Sequence, residues 1–328
     1  MDILQSLQNL YFYRLDIRFY PNEPIKIPYW TGAVIRNRFL YAAEKIFDNQ
    51  GHSLRELLDT LPLSEAHAYY KQLAGGFPKG FLFDCSTLPF QYGKFALKKE
   101  HIYTFSLLLI GNCSDYYPLF IAALKQMFSE GLGNPMISLT LIDICERRDM
   151  LLCSGKENFL NKPSAPFKLE VSSFAFENSI KLTLHFNTPV SLTNRAQKKN
   201  QTNGYQNKLN NFPSFYQFMR SLLYRLVTLN MLYVNSENVA TPTETKEDIE
   251  RFISPASQAL LLNANINYEK RYSTPRVGET NVYTMNGYCG TLSFDQVDSR
   301  FIPLLQFASH LGIGNDINYG LGIFNVEY

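Results

Sequence analysis

Twice along this chain a run of helical period closes on a Gly-apolar-Gly triplet and gives way to a short strand-like run. The first runs from Asp115 to Glu130, with Ile121, Leu124 and Phe128 on one face. It stops at Gly131-Leu132-Gly133, and Ile137 to Leu141 follows with strand alternation. The second runs from Phe301 to His310 with Leu304, Leu305 and Ala308, stops at Gly312-Ile313-Gly314, and precedes the run Gly322 to Val326. Glycine is the residue a helix C-terminus uses where the backbone turns left-handed. The halves also open alike. Leu15 to Tyr20 alternates, breaks at Pro21 and Pro24, then switches to helical period; Leu182 to Phe186 alternates, breaks at Pro189 and does the same. Between these ends lie further strand-like runs, Phe81 to Cys85 with Ile102 to Ile110, and Val282 to Tyr288 with Thr291 to Phe294. Strand, helix, strand, strand, helix, strand is the ferredoxin-like unit. The expected fold is α+β, two tandem ferredoxin-like (βαββαβ) domains over residues 1–158 and 159–328, joined near Cys153 to Pro166.

The second ending carries an extra signal. After Gly312-Ile313-Gly314 come Asn315-Asp316-Ile317-Asn318-Tyr319 and then Gly320-Leu321-Gly322. Four glycines so placed permit positive φ and leave no Cβ between the backbone and a close partner. An extended polyanion profits from that, because exposed N–H groups can face its phosphates.

This loop resembles the glycine-rich loop of the RAMP superfamily of CRISPR-associated proteins, most closely its endoribonucleases that cut precursor CRISPR RNA within each repeat. Arg271-Tyr272-Ser273 and Gly287-Tyr288-Cys289-Gly290-Thr291-Leu292 are similar to the family's basic-Ser segment and Gly-x-x-Gly strand, and Gly111 to Gly133 to its N-terminal half. Asn315, followed by Asp316, stands where the family often has a basic residue. The resemblance implies a RAMP-type fold. It also implies metal-independent cleavage in which the RNA 2′-hydroxyl attacks the adjacent phosphate. The alternative within the superfamily is a non-cleaving subunit that binds crRNA in an effector complex.

Composition narrows the rest. Hydrophobic residues at 45% and charged residues at 18% describe a globular chain. The net charge of +2 announces no polyanion binder, but it hides an uneven distribution. From Ser179 to Ser236 there is no Asp or Glu, while Lys181, Arg195, Lys198, Lys199, Lys208, Arg220 and Arg225 are present. Arg195 to Asn211 reads as a polar loop, either a solvated face or a segment that meets RNA. Five cysteines without a C-x-x-C spell neither a zinc site nor a disulfide framework. No phosphate-loop lysine motif, nucleophile elbow or H-E-x-x-H occurs. No metal and no cofactor are expected. The apolar run Leu107 to Ile110 is far too short for a membrane span, and a cytoplasmic setting is expected.

A ribonuclease that uses the RNA's own nucleophile needs only an acid, a base and positive charge for the phosphorane. A helix over about Ala33 to Asp48 puts Ile35, Phe39, Ala42 and Ile46 on a core face and Arg38, Tyr41 and Lys45 on one flank. Gly51 and the capping box Ser53-Leu54-Arg55-Glu56 pin His52 at the corner beyond it. The candidate catalytic residues are His52, Tyr41 and Lys45, with His310 beside the glycine-rich loop as the runner-up; the family often places its histidine on or just after this helix. His185 shares a strand face with Thr183, His67 pairs at i, i+4 with Lys71, and His101 follows Lys98-Lys99-Glu100. Tyr29 and Trp30 either stack on a base or staple the helix entrance. Expected RNA contacts are Arg36, Arg38, Arg195, Lys198, Lys199, Lys208, Arg220, Arg271 and Arg276, with Gly312, Gly314, Gly320 and Gly322. The expected partners are CRISPR repeat RNA and other CRISPR effector subunits.

Overall fold

The computed structural model describes residues 4, 7–60, 78–91, 94–146, 150–156, 159–170, 179–192, 213–234, 242–273 and 282–328. The first unit runs β1 (Tyr11–Pro21), β2 (Ile25–Ile27), α1 (Thr31–Ala43), α2 (Leu54–Thr60), β3 (Phe81–Asp84), β4 (Phe90–Gln91), β5 (Lys94–Leu97), β6 (Tyr103–Ile110), α3 (Tyr117–Glu130), β7 (Leu139–Glu146) and β8 (Met150–Ser154). Its main sheet has the order β3-β6-β1-β7-β8, antiparallel throughout, and β2-β5-β4 form a small second sheet. β9 (Phe167–Lys168) also pairs with β1. The second unit runs β10 (Ser179–Val190), α4 (Phe215–Tyr233), α5 (Pro242–Ile253), β11 (Leu260–Tyr272), β12 (Thr284–Asp298), α6 (Ile302–Leu311) and β13 (Phe324–Glu327), with sheet order β11-β12-β10-β13. In each unit the two strands between the helices sit at one edge and the last strand at the other side of the first, the ferredoxin-like order.

Alternation along β1 makes this arrangement cohere. Leu15, Ile17 and Phe19 are fully buried and face α1 and α3, where Phe19 lies 5.3 Å from Phe128 and Phe39 stacks on Phe120 at 5.6 Å. The other face of the same sheet is divided. Phe12, Leu82, Leu108 and Ile110 join the core of the second unit beside α4 and α6. Farther along it, Arg18 donates to Asp143, and Arg14 pairs with Asp16 at 3.1 Å. The junction is tight: the Tyr233 hydroxyl donates to the Pro78 carbonyl at 2.9 Å, and a Cβ on Gly111 would stand 2.2 Å from the Tyr233 backbone carbonyl oxygen.

Two sequence expectations change here. The helix expected to reach Asp48 ends at Ala43. Lys45 N–H turns back to the Ala42 carbonyl at 3.0 Å and Ile46 N–H to Ala43 at 3.4 Å, so the last turn tightens, and Phe47 then bridges to Ser53. The strands expected at Val282 to Tyr288 and Thr291 to Phe294 are one strand, β12, whose partner β11 was not foreseen. The ladder runs from Leu260 opposite Asp295 to Tyr272 opposite Thr284, passing straight through Gly287 and Gly290. Among the described residues no helix is long and apolar enough to cross a membrane.

Candidate functional site

The glycine-rich loop is seated on α1. A Cβ on Gly32, in the first turn of α1, would lie 2.1 Å from the Tyr319 carbonyl oxygen, and one on Gly320, at φ +75°, would lie 2.7 Å from the Phe83 carbonyl oxygen. Only glycine at both places lets the loop backbone close on the helix and on β3. Trp30 seals the contact: its indole N–H donates to Tyr319 O at 2.6 Å, its backbone N–H donates to Tyr272 O at 2.8 Å, and it is buried with Ala33, Met285 and Leu321. The Arg271 guanidinium lies over Trp30 at 5.4 Å and Phe90 at 4.8 Å while pairing with Glu269. Arg36 lies over the Tyr319 ring at 4.7 Å. Trp30 is therefore a packing residue, and the base-stacking alternative for it falls away because its ring is covered from both units.

The glycine amides are also committed. Gly312 N–H donates to Ala308 O, Gly320 to Ile317 O and Gly322 to Pro189 O, at 2.8–3.0 Å. The expectation that these groups face phosphate is corrected at those three positions: Gly312 closes α6, Gly320 closes a 3-10 turn, and Gly322 meets β10. Gly314, at φ +92°, lies against Ser191, whose carbonyl accepts from Asn315 N–H at 2.9 Å. Asp316 is left-handed (φ 59°) and accepts from the Tyr283 hydroxyl at 3.0 Å. Burial pushes the Asp316 carboxyl up against that bond, and burial and the Asp316 charge push the Tyr283 phenol up to about 12.

On the flank of α1, Arg38 and Lys45 both lie over Tyr41, at 5.0 and 4.2 Å from its ring centre. Both also reach Glu130, the last residue of α3, Lys45 at 2.5 Å and Arg38 at 3.1 Å. Burial alone would raise the Glu130 carboxyl, but hydrogen bonds from Lys45 and Gln126 and the charges of Lys45 and Arg38 hold it below the ordinary carboxylate range. The same bond to Glu130 pushes the Lys45 ammonium up, so it remains a cation at neutral pH. Sequence reading missed Glu130 because it lies 85 residues from Lys45 and carries no local mark.

His52 stands at the corner between α1 and α2, its side chain more than half exposed. Asp48 builds that corner: its Oδ1 accepts backbone N–H groups of Gln50 at 2.8 Å and His52 at 2.9 Å, and its Oδ2 lies 3.5 Å from His52 Nδ1. Burial opposes ionisation of Asp48, but those two backbone bonds and the imidazole hold its carboxyl low. The capping box forms as expected, Ser53 N–H to Glu56 at 2.8 Å and Glu56 N–H to Ser53 Oγ at 3.2 Å. His52 engages Asp48, whereas Lys45, over the Tyr41 ring, reaches Glu130.

The remaining candidates scatter. His310 packs against Phe12 at 5.7 Å and Phe167 at 5.0 Å, at the junction of the units. Arg220 pairs with Glu250 of α5 at 2.6 Å, and the half-buried Arg225 donates to the Leu311 carbonyl at 3.0 Å, with desolvation of its guanidinium pulling its pKa down to about 10. The acid-free window is thus not acid-free in space. His185 lies 3.0 Å from Glu327 on the open sheet face, and His101 packs on Tyr103. Arg195, Lys198, Lys199, Lys208, Arg276, His67 and Lys71 lie outside the described residues. Among the described residues no group of three or more His, Cys, Asp and Glu is placed to hold a metal ion.

Two tandem ferredoxin-like units, with the glycine-rich loop of the second seated on the first helix of the other, set the class of fold. Residues 184–324 match the family model of the CRISPR-associated endoribonuclease Cas6, and residues 10–164 match a second model described as an N-terminal domain. The family resemblance expected from the loop is borne out. Solved structures of similar fold include a partial Cas6-RT-Cas1–Cas2 complex (TM-score 0.57, 9% identity, covering 97% of this chain). A product complex of a Thermus thermophilus Cas6 is also similar (TM-score 0.53, 14% identity, 97% of this chain and 99% of that one). The chain spans 46% of the chain matched in that partial complex and 29% of the one in the fuller Cas6-RT-Cas1–Cas2 complex. No curated protein sequence matches it.

Proposed function

We propose that this chain is a metal-independent endoribonuclease that binds CRISPR repeat RNA and cuts it to mature crRNA. The first unit, residues 1–158, supplies the catalytic corner, and the second, residues 159–328, supplies the glycine-rich loop. The observation that carries the reading is the seating of a glycine-rich loop, within the stretch that matches the Cas6 model, on α1, where it meets Gly32 and Arg36 of the helix that also carries Tyr41 and leads to the His52 corner. In this reading the RNA 2′-hydroxyl attacks the adjacent phosphorus, the bond to the 5′-oxygen breaks, and a 2′,3′-cyclic phosphate and a 5′-hydroxyl result. His52 exchanges the proton, which imidazole does in the physiological range. Lys45 and Arg38 stabilise the phosphorane charge. Lys45 keeps 43% of its side chain exposed, so a phosphate can compete with Glu130 for it. The same proposal includes a cytoplasmic setting and assembly with other CRISPR proteins.

The test is incubation of the full chain with its repeat RNA in EDTA, beside RNA carrying 2′-deoxy at the scissile nucleotide. Cleavage is expected to survive EDTA and to vanish with the deoxy substrate. Loss in EDTA that Mg²⁺ restores rejects the mechanism. Tight binding without any cleavage favours the non-cleaving subunit.

A further inference from the structure

The register of β9 on β1 gathers a second set of aromatic and basic side chains. Residues directly opposite on an antiparallel ladder turn to the same face, and successive residues turn to opposite faces. Phe12 stands opposite Phe167, and their rings stack at 4.9 Å on the core of the second unit. Tyr11 stands opposite Lys168, so this pair turns the other way, and Tyr13 turns with it. They line a cleft of about 390 Å³ with Asp115 and Tyr117 at the entry to α3 and Lys162 of the segment between the units. Among the described residues, none from α1 or the glycine-rich loop lines it. Its walls are held in place. The buried Glu146 carboxylate accepts the backbone N–H groups of Ser164 at 2.8 Å and Ala165 at 2.9 Å, which pins the segment between the two lysines. Ser114 Oγ donates to the Gly111 carbonyl at 2.7 Å and braces the turn that carries Asp115.

The lining matches the chemistry of a nucleotide. The volume lies in the range of small-molecule sites, roughly 300–1,000 Å³, and admits a base with its sugar and phosphate. Tyr11 and Tyr13 meet edge to face at 6.1 Å, and all three tyrosines are only half-buried, so ring surface is open to stack on a base. Lys162 and Lys168 are exposed, and among the described residues neither side chain has an ion pair or hydrogen bond. Two ammonium groups without a carboxylate partner suit a phosphate. Asp115 stands on the α3 side, where its charge repels phosphate and its oxygens accept, as from ribose hydroxyls. We infer that this cleft binds a nucleotide, with its phosphate on Lys162 and Lys168, its base on the tyrosine cluster and its ribose toward Asp115. A free ribonucleotide and one nucleotide of a bound RNA share that chemistry, and only the second rests on the function proposed above.

The experiment has two arms, both on the full chain. In the first, AMP, GMP, CMP and UMP are each titrated by calorimetry at low ionic strength into the parent, the Lys162→Gln/Lys168→Gln double variant, Tyr11→Val and Tyr11→Phe. The lysine double variant and Tyr11→Val should each lose about tenfold in affinity, the latter through the lost stacking ring. Tyr11→Phe keeps the ring and should stay near the parent. The lysine changes touch only exposed side chains, so loss of structure cannot imitate their effect. In the second arm, repeat RNA binding is followed against salt. If RNA supplies the nucleotide, the double variant should flatten the slope of log K against log[salt] by about one unit, one phosphate contact. Parent-like behaviour of the double variant in both arms overturns the inference. Equal losses in Tyr11→Val and Tyr11→Phe overturn the placing of the base on the tyrosines. Lost mononucleotide affinity with an unchanged RNA slope overturns the RNA source and assigns the cleft to a free nucleotide. A flattened RNA slope in a chain that binds no mononucleotide assigns it to the strand. Losses in both arms in a chain that cuts no RNA reject the nuclease reading and keep the site.

Discussion

The two edges of helix α1 carry similar cations in different company. On one, Arg38 and Lys45 converge on Glu130, which the fold presents at the end of α3 with its carboxyl held ionised. Tyr41, 43% exposed, lies open beneath them. On the other, Arg36, Arg55 and Lys79 line a small cavity together with Asp59, which takes Lys79 at 2.7 Å. The fold, not the number of basic residues on a helix, therefore decides which cations meet a carboxylate at each edge. The first edge orders groups that can act on a phosphate as it reacts.

The largest expected effect decides which edge the catalytic corner serves. His52→Ala should slow single-turnover cleavage by ~10²–10⁴-fold and leave repeat binding nearly intact, because a neutral imidazole adds little to phosphate affinity. Tyr41→Phe and Lys45→Ala should each cost less, the lysine through lost phosphorane stabilisation. A parent rate in His52→Ala with an inactive His310→Ala would move the chemistry to the junction where His310 packs on Phe12 and Phe167, away from both edges.

Next comes Gly32→Ala, which attacks the contact that gives the edges their common frame. The added methyl would meet the Tyr319 backbone carbonyl, which cannot swing aside as a side chain would, so the loop must lift. A loss of about 1–3 kcal/mol is expected, the usual cost of overpacking, read from the midpoint of denaturant unfolding. Arg36 loses its Tyr319 support while the Glu130 edge does not, so RNA affinity should fall more steeply than the Lys45-dependent part of the rate. An unchanged midpoint would mean that the loop is not seated on α1 in solution.

Glu130→Gln tests the closed edge with a smaller effect. With Arg38 and Lys45 released, repeat RNA should bind more tightly and the salt slope should steepen by up to about two units. Stability should move the other way. A carboxyl whose folded pKa is depressed contributes stability that is present above its unfolded pKa, about 4.3, and is lost as pH falls through the folded value. The variant should therefore be less stable than the parent at neutral pH and equal to it in acid. A deficit that persists at pH 2 would assign the loss to packing.

How much of this was legible in the chain follows from the range of each interaction. The core face of α1, the Ser53 capping box, the glycine ends of α3 and α6 and the doubled βαββαβ order are written in neighbours within a few residues. Strand β11 was legible too: Ala264, Ile266 and Tyr268 alternate with Asn263, Asn265 and Asn267, a period-two run. It was overlooked because Gly287 and Gly290 suggested a break that the continuous ladder does not make. The partners of the basic residues were not legible. Arg220 meets Glu250 and Lys45 meets Glu130 across 30 and 85 residues, so a cation that looks free in sequence is paired in the fold. The glycine-rich loop is legible as a motif, but its amides at Gly312, Gly320 and Gly322 serve the protein's own carbonyls, which a motif cannot disclose.

The smallest effect concerns the loop's own acid. Asp316 holds a left-handed backbone, which asparagine tolerates, so Asp316→Asn adds no strain. It also keeps an oxygen to accept from the Tyr283 hydroxyl. Burial raises the Asp316 carboxyl more than that bond lowers it. A carboxyl raised in the folded state costs stability once ionised: the penalty is absent below its unfolded pKa and complete above its folded one. The variant should gain on the order of half a kcal/mol at neutral pH, and the gain should fade in acid. If RNA passes the loop on the side of Arg36 and Tyr319, removing this charge should also tighten binding, though by less than Glu130→Gln does. A stability gain that grows as pH falls would show that burial is not what sets the Asp316 carboxyl. Unchanged RNA affinity beside the Glu130→Gln gain would place the strand on the Tyr41 edge of α1 and away from the loop.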